Sequence, residues 1–241
     1  MPRMATSGRE EWKTFAQVFD HFTETVLHKL IQKGVLAGLY GPLSMGKEAN
    51  VFLAQQHDGK KVAVKIYRLS TCDFNRMYGF IRTDPRFPKL NRQRRKVVFA
   101  WAQREFRNLL KAREAGVRVP TPITSMMNVL VMELVGAPAQ KAKSQPPAHP
   151  KKFIDEVIGQ MRKLYAVGLI HGDLSPFNIL NDDEKPVIID MSQSTTLDDP
   201  NAKEYLTRDV RNIVNFAKEL GVALTEESVM QKIKNEPKAK T

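Results

Sequence analysis

The residues with the clearest chemical potential lie in two short stretches of the C-terminal half. From His171 to Asn178 the sequence reads His-Gly-Asp-Leu-Ser-Pro-Phe-Asn, and an apolar run further on ends at Asp190. Asp173 suits a group that accepts or orients the proton of a nucleophile, while Asn178 and Asp190 supply the hard oxygen ligands that Mg²⁺ prefers. His171 is expected to support the loop rather than react. The spacing predicts a kinase-like phosphotransferase site around a nucleoside triphosphate.

A lysine in the N-terminal half fits the same chemistry. Lys65 is the one charge in the apolar strand pattern Val-Ala-Val-Lys-Ile, where an inward lysine is costly unless it meets phosphate or a carboxylate. Glu105, in the predicted helix that follows, is the natural ion-pair partner. We therefore predict that Lys65 binds phosphate and that Glu105 holds it in place. The alternative is that Lys65 reaches solvent from an edge strand and that Glu105 is a solvated helix charge.

The segment from Gly41 to Glu48 contains most of a P-loop pattern, Gly-x-x-x-x-Gly-Lys. Two details count against that interpretation. Glu48 stands where a hydroxyl should bind Mg²⁺ and would repel phosphate, and the residues that follow read as a strand rather than a helix. We predict a hairpin loop over the triphosphate, with Ser44, Lys47 and backbone amides as its nucleotide contacts.

Composition narrows the class of protein. With 241 residues, 42% of them hydrophobic, the chain can bury a substantial core in one domain or in two lobes. No apolar stretch approaches the roughly 18 to 20 residues of a membrane span, and the N-terminus lacks a signal-peptide pattern. The single cysteine, Cys72, cannot form an internal disulfide, and no Cys/His spacing fits a zinc site. A cytoplasmic protein is expected.

Positive charge is concentrated in one part of the chain. Lys and Arg number 38 against 26 Asp and Glu, a net charge of +12. Between Arg86 and Arg113 the basic residues include Arg92, Arg94 and Lys96, and Glu105 is the one acid. The basic stretch 86–113 favours a polyanionic partner, and RNA is the obvious candidate. The alternative is a solvated basic face without a partner.

Hydrophobic periodicity and turn residues predict the order of the elements in the N-terminal half. An amphipathic helix is expected at about residues 11–33, a long loop at 72–90 and a second helix at about 92–114. The predicted strands are 36–43, 50–55, 61–69, 123–125 and 129–135.

In the C-terminal half, the Pro- and Lys-rich segment 136–150 is predicted to be a linker. A helix is expected near residues 153–165 and ends before Gly168, which places the Asp173 motif on loops between short strands. Two closing helices are predicted at about 200–220 and 225–234.

Three motifs together resemble the RIO family of atypical serine kinases. They are Ser-Met-Gly-Lys-Glu-Ala-Asn-Val at 44–51, His-Gly-Asp-Leu-Ser at 171–175 and Ile-Asp-Met-Ser-Gln at 189–193. The resemblance runs from about Phe19 to Leu220, and it is closest to the type 1 branch in a minimal, archaeal-like form. The type 2 branch carries an N-terminal winged helix, for which we expect no room before the first strand.

The resemblance implies an α+β, bilobal protein-kinase-like fold with no activation loop or peptide-binding subdomain. The expected N-lobe, residues 35–135, has an antiparallel sheet plus a helix and a flexible loop at 72–90. A hinge or linker at 136–150 leads to a reduced, helical C-lobe at 151–241, and residues 1–34 form an extra N-terminal helical extension.

The resemblance also implies site roles, carried over by position. Lys65 would bind ATP, Asp173 would be the catalytic Asp, and Asn178 and Asp190 would hold Mg²⁺, with Mn²⁺ as an alternative ion. For adenine, the candidates are Met132 at the back of the pocket and the hinge backbone of Glu133 and Val135. In this family the residue matching Asp190 is associated with an aspartyl-phosphate intermediate and an ATPase-like cycle, and members act in maturation of the small ribosomal subunit.

Two other functions remain as alternatives. Small-molecule phosphotransferases of the aminoglycoside or choline kinase type also use His-Gly-Asp-Leu with a distal Asn and Asp. They usually carry a large substrate subdomain, whereas only residues 191–241 follow Asp190 here. The second alternative is an RNA-binding module that binds ATP without turning it over, which the intact set of Lys65, Asp173, Asn178 and Asp190 disfavours.

Overall fold

A computed structural model of the protein describes residues 19–88 and 90–234. The chain divides into two compact units. Of the described residues, unit 1 contains those up to Phe106 together with Pro122–Leu134, and unit 2 contains Arg107–Thr121 together with those from Val135 onward. Both units combine antiparallel strands with helices, so the predicted α+β class is confirmed. No helix within the described ranges is long and apolar enough to cross a membrane.

Unit 1 is built on a five-stranded antiparallel sheet with the strand order β1-β2-β3-β5-β4. The strands are β1 (Gly38–Met45), β2 (Ala49–Gln55), β3 (Lys61–Tyr67), β4 (Pro122–Met126) and β5 (Val129–Glu133). Its helices are α1 (His21–Gln32), α2 (Phe74–Arg82) and α3 (Arg94–Glu114), and α3 continues into unit 2. β3 occupies the middle of the sheet, and six of its seven residues are buried.

Helix α1 covers part of this sheet. Asp20 caps it by accepting a hydrogen bond from the Thr23 backbone N–H at 2.9 Å. Its apolar residues Val26, Leu27 and Leu30 join a buried cluster with sheet residues of β1, β2, β3 and β5. The helix lies within the predicted range 11–33, of which residues 11–18 fall outside the described residues.

The prediction of a long loop at 72–90 was wrong, because helix α2 occupies Phe74–Arg82. Asp73 caps α2 by accepting from the Arg76 backbone N–H at 3.1 Å. Met77 and Ile81, four residues apart, are both buried in a cluster with residues of α3. A helix this short shows only one or two turns of apolar spacing, and the interspersed Arg and Gly hid the period.

The described part of unit 2 holds three further helices and two small sheets. The helices are α4 (Pro150–Ala166), α5 (Ala202–Glu219) and α6 (Glu226–Lys234). β6 (Gln140–Lys141), β8 (Ile179–Asp182) and β9 (Lys185–Ile188) form one sheet, and β7 (Leu169–Ile170) pairs with β10 (Thr195–Thr196). A single 3₁₀ turn spans Met191–Gln193. The segment between β7 and β8 carries the Asp173 motif, which therefore lies on a loop between short strands as predicted.

The segment 136–150 is also more structured than the predicted linker. β6 pairs antiparallel with β8, and the Ala142 backbone N–H donates to the Ile179 carbonyl at 2.8 Å. The Glu184 carboxylate accepts from the backbone N–H groups of Ala148 and His149, each at 2.9 Å. These bonds use backbone groups, which the Pro- and Lys-rich composition of the segment does not reveal. The segment is therefore part of unit 2.

Candidate active-site residues

Lys65 and Glu105 meet inside unit 1. The central position of β3 leaves Lys65 only 7% exposed, and Glu105 on α3 is 1% exposed. Lys65 Nζ lies 2.9 Å from Glu105 Oε1, and the Tyr67 hydroxyl donates a hydrogen bond to the other carboxylate oxygen. The ion pair predicted from the sequence is present, so the edge-strand alternative is excluded. The binding of phosphate by Lys65 stays a prediction.

The Gly41–Glu48 segment forms a hairpin, and not the helix start of a P-loop. β1 pairs with β2 through Ser44 opposite Val51 and Met45 opposite Asn50. Gly46 is required at the turn, because a Cβ there would lie 2.7 Å from the Ala49 carbonyl oxygen. The predicted hairpin is confirmed. Ser44 and Lys47 are both exposed on it, and their contact with a nucleotide stays a prediction.

The three candidate adenine contacts lie at and just beyond the end of β5. Met132 and Glu133 are partly buried and pair with Ala63 and Val62 of β3. Val135 is buried, and its carbonyl accepts from the Ala139 backbone N–H at 2.7 Å. That carbonyl already has a protein donor, so we expect Val135 to offer its N–H group to a ligand.

Asp173 is held by two side-chain amides in unit 2. Gln193 Nε2 donates to Asp173 Oδ2 at 3.0 Å. Asn178 Nδ2 donates to the Asp173 carbonyl oxygen at 2.8 Å and lies 3.4 Å from Oδ2. The sequence prediction missed Gln193, although it ends the motif at 189–193. The available signal was its position at the end of that motif, because Gln193 and its polar neighbours Ser192 and Ser194 are all buried and do not stand out by type.

Asp190 follows β9 in an unusual backbone conformation, with φ 61° and ψ 64°. A non-glycine residue in the left-handed region costs free energy, and such residues are concentrated at functional sites. Ser192 Oγ donates to Asp190 Oδ1 at 2.7 Å. The Ile189 backbone N–H donates to the Asn178 carbonyl at 3.0 Å, so the chain brings Asn178 next to the residue that precedes Asp190.

His171 supports this loop, as expected from the sequence. It is 2% exposed, and its Nδ1 accepts from the Asp173 backbone N–H at 3.2 Å. Because Nδ1 is an acceptor, the ring proton belongs on Nε2, which lies 3.0 Å from the Ile189 carbonyl oxygen. The imidazole thus joins the strand end before Asp190 to the loop that carries Asp173.

Helix α5 supplies a second support that sequence reasoning missed. Asp209 is 1% exposed and accepts from the backbone N–H groups of Gly172 and Leu174 at 2.8 and 2.7 Å. Asn212 Nδ2 donates to the Leu174 carbonyl at 2.9 Å, and Arg208 donates to the Gly172 carbonyl. Burial raises the pKa of Asp209 to about 6, against the opposing effects of His171, the two N–H groups and Arg208.

The donor set at Asn178 and Asp190 fits Mg²⁺. Because the Asn178 amide nitrogen donates to Asp173, the amide oxygen is left as an acceptor, and Asp190 adds carboxylate oxygens. Within residues 19–88 and 90–234, no cluster of three or more His, Cys, Asp or Glu side chains could hold a metal by itself. Two oxygen ligands completed by nucleotide phosphates are the usual arrangement for Mg²⁺ at such sites.

Comparisons with known proteins find relatives that match most of this chain. The family profile of the RIO domain matches residues 50–230. The RIO-type serine/threonine-protein kinase Rio1 of Haloferax volcanii is 41% identical over 232 residues, which cover 95% of this chain and 80% of that protein. Rio1 of Methanocaldococcus jannaschii is 42% identical over 211 residues, or 86% of this chain and 72% of that protein.

Among solved structures, the Rio2 kinase–ADP/Mg²⁺–phosphoaspartate complex from Chaetomium thermophilum has the same fold. It aligns with a TM-score of 0.69 and 26% sequence identity over 88% of this chain and 66% of that chain.

Proposed function

This chain belongs to the RIO domain family, as an atypical kinase of the Rio1 type, and we propose that it is an ATP- and Mg²⁺-dependent serine/threonine kinase with ATPase turnover that acts on small ribosomal subunit precursors. The observation that carries the proposal is the loop cluster of Asp173, Asn178 and Asp190, held by Gln193, Ser192 and His171.

In this proposal Asp173 accepts the proton of the acceptor hydroxyl. Gln193 and Asn178 hold its carboxylate and its backbone, so the base is positioned before any substrate binds. Asn178 and Asp190 would hold Mg²⁺, which neutralises charge on the nucleotide phosphates when it is bound. Lys65, fixed by Glu105, supplies a positive charge for the phosphates.

We further propose that an Asp190 carboxylate oxygen takes the γ-phosphoryl group of ATP with ADP as the leaving group, and that water then hydrolyses the acyl phosphate to release inorganic phosphate. The Rio2 complex from Chaetomium thermophilum contains a phosphoaspartate. In the present chain, Asp190 combines a left-handed backbone with a hydrogen bond from Ser192 to one carboxylate oxygen. A carboxylate fixed in this way can present its other oxygen as a nucleophile.

The proposed partner is the rRNA and protein of the small-subunit precursor, in the cytoplasm. Support comes from the basic stretch 86–113, in which Arg92, Arg94, Arg95 and Lys96 are exposed. The stretch is not uniform, since Arg104 is fully buried and lies 3.1 Å from Asp84, which also pairs with Arg86. The exposed group around the start of α3 is therefore the surface that we expect to meet phosphates.

Asp173→Asn tests the proposed chemistry. We expect Mg²⁺-dependent ATP turnover to fall by about 10²- to 10⁴-fold, because the amide cannot accept the proton. Asp183→Asn is the matched control, since Asp183 is exposed on the turn between β8 and β9. Unchanged turnover in Asp173→Asn would remove the base assignment. If added choline or an aminoglycoside were phosphorylated, the small-molecule alternative would be favoured instead.

The phosphate acceptor is tested separately by incubation with γ-labelled ATP. An acyl phosphate is released by hydroxylamine, whereas phosphoserine is not. We expect hydroxylamine-sensitive label in the wild type and none in Asp190→Asn. Label that resists hydroxylamine and persists in Asp190→Asn would contradict the aspartyl-phosphate step.

A further inference from the structure

Unit 1 contains a groove whose lining includes none of the residues proposed above as catalytic. It has a volume of about 370 Å³ and is formed by the segment after α2, the first half of α3 and the β4–β5 turn. Phe87, Phe99 and Met127 supply its apolar surface, and Lys96, Gln103 and Ser125 its polar groups. Its volume is at the small end of the ~300–1,000 Å³ range of small-ligand sites.

The apolar walls are fixed by contacts with the rest of unit 1. Phe99 stacks on Phe22 with the ring centroids 5.4 Å apart. The Phe87 backbone N–H donates to the Asp84 carbonyl at 3.0 Å, and the Asp84 side chain pairs with Arg86 and Arg104. A binding surface that is already ordered loses little conformational entropy when a ligand arrives.

Met127 is unusually exposed for an apolar side chain. It is 48% exposed and has a φ of 53°, on a turn where a glycine would be easier to accommodate. The next residue, Asn128, is fully buried and donates to Thr23 Oγ1 and to the Tyr67 carbonyl, each at 2.9 Å. These bonds fix the turn, so Met127 is held at the edge of the groove.

The polar groups of the groove have unused hydrogen-bonding capacity. Within the described part of the chain, the side chains of Lys96, Gln103 and Ser125 make no hydrogen bond or ion pair with protein groups. They surround an apolar slot with one cation, one amide and one hydroxyl. A planar ligand with an apolar face and a polar edge would satisfy both kinds of surface.

The positive charge beside the groove favours a ligand that carries phosphate groups. Arg92, Arg94 and Arg95 are exposed in the residues just before Lys96, and the sequence has no acid between Arg86 and Arg104. Exposed Arg and Lys next to an apolar slot are the features that proteins use to bind single-stranded RNA, with phosphates on the cations and an unstacked base against the apolar side chains.

We propose that the groove binds one unstacked base of a single-stranded RNA segment, with Gln103 and Ser125 at the base edge and Lys96 at its phosphate. The proposal rests on the RNA partner proposed above and specifies how that partner is held. A hydrophobic acidic peptide would meet the same charge, but a slot of this size with three polar groups at its rim suits one base better.

The test uses the full chain and a fluorescein-labelled single-stranded RNA that carries 2-aminopurine, with affinity read by anisotropy and base environment by 2-aminopurine fluorescence. Gln103→Ala and Met127→Ala should each weaken binding by about five- to tenfold and leave the salt slope unchanged. Lys96→Gln should lower the salt slope by about 0.7, as for one lost phosphate contact on a single strand. Gln93→Ala, an exposed glutamine outside the groove, is the control and should bind like the wild type.

An oligonucleotide of abasic sites separates base from backbone. It should bind the wild type and Gln103→Ala equally, because an abasic oligonucleotide offers no base for the groove to hold. Gln103→Ala and Met127→Ala could bind the 2-aminopurine RNA as tightly as the wild type while Lys96→Gln binds it more weakly. In that case the basic stretch binds RNA and the groove proposal fails. If a fluorescent acidic peptide with an aromatic residue binds the groove and RNA does not compete, a protein occupies the site and the proposal fails.

Absence of RNA binding by the wild type would overturn both the groove and the RNA partner. ATP turnover, measured on the same samples, would still stand as an independent result for the proposed catalysis. Gln103→Ala should leave that turnover unchanged.

Discussion

Replacing the buried ion pair of unit 1 separates its structural contribution from its proposed role in nucleotide binding. Lys65→Met leaves the Glu105 carboxylate in the core, where it keeps the hydrogen bond from Tyr67 but loses its counterion at 2.9 Å. Because both side chains are almost fully buried, removal of one partner should cost about 3–5 kcal/mol. Lys65→Met/Glu105→Leu removes both charges and should cost much less than the sum of the two single changes.

Trp101 provides the assay. It is buried in unit 1, so urea unfolding followed by its fluorescence, with Trp12 replaced by Phe, reports on the unit that holds the pair. A loss of 3–5 kcal/mol corresponds to a thermal midpoint lowered by roughly 10 °C. If the double variant is destabilised by the full sum of the two single variants, the two charges contribute independently and the ion-pair reasoning is refuted.

The same variants test whether Lys65 takes part in nucleotide binding. Saturating ATP and Mg²⁺ should stabilise the wild type by about 2.7 kcal/mol at a concentration 100 times Kd. The double variant should be folded and yet show no such shift, because the charge for the phosphates is gone. A normal ATP-dependent shift in that variant would exclude Lys65 as the phosphate-binding lysine.

Three further predictions concern Asp209, Asp84 and Gly172. The pKa of Asp209 is raised to about 6 from 3.8, so its contribution to stability is complete below pH 3.8 and is lost as the pH rises through 6. As the pH rises from 4 to 7, the unfolding free energy of Asp209→Asn should therefore rise relative to that of the wild type by up to about 3 kcal/mol. If urea titrations gave the same difference in unfolding free energy at every pH, the raised pKa of Asp209 would be contradicted. Asp84→Asn should raise the rate of backbone amide hydrogen exchange in α2 and the segment after it, because the buried Arg104 loses its carboxylate partner. Unchanged exchange rates would show that the Asp84–Arg104 pair does not order this segment. Gly172→Ala should cost about 1–2 kcal/mol in urea unfolding, since φ is 79° and the new Cβ would lie 3.0 Å from the Gln193 carbonyl oxygen; equal stability would show that the loop can relax.

The sequence predicted best where a residue type was unfavourable in its local pattern. Lys65 in an apolar strand implied a buried partner, and Glu105 is that partner. The pattern of Gly, Lys and Glu before an alternating run implied a hairpin rather than a P-loop helix, and β1 pairs with β2 as expected. Helix α2 and strand β6 were missed because each is stabilised by contacts with residues distant in sequence, which a local period does not report.

Asp209 shows that the same criterion could have been applied more widely. On α5 it lies among Leu206, Val210 and Ile213, all buried, so an acidic side chain on that face is as unfavourable as Lys65 in its strand. The cost of burying it is offset by hydrogen bonds from two backbone N–H groups of the loop that carries Asp173. A lone acid on the apolar face of a helix therefore indicates a loop that needs an acceptor. In this chain the backbone N–H donors belong to the loop of the Asp173 motif, so a loop that carries a candidate catalytic motif is the first place to look for the hydrogen-bond donors of such an acid.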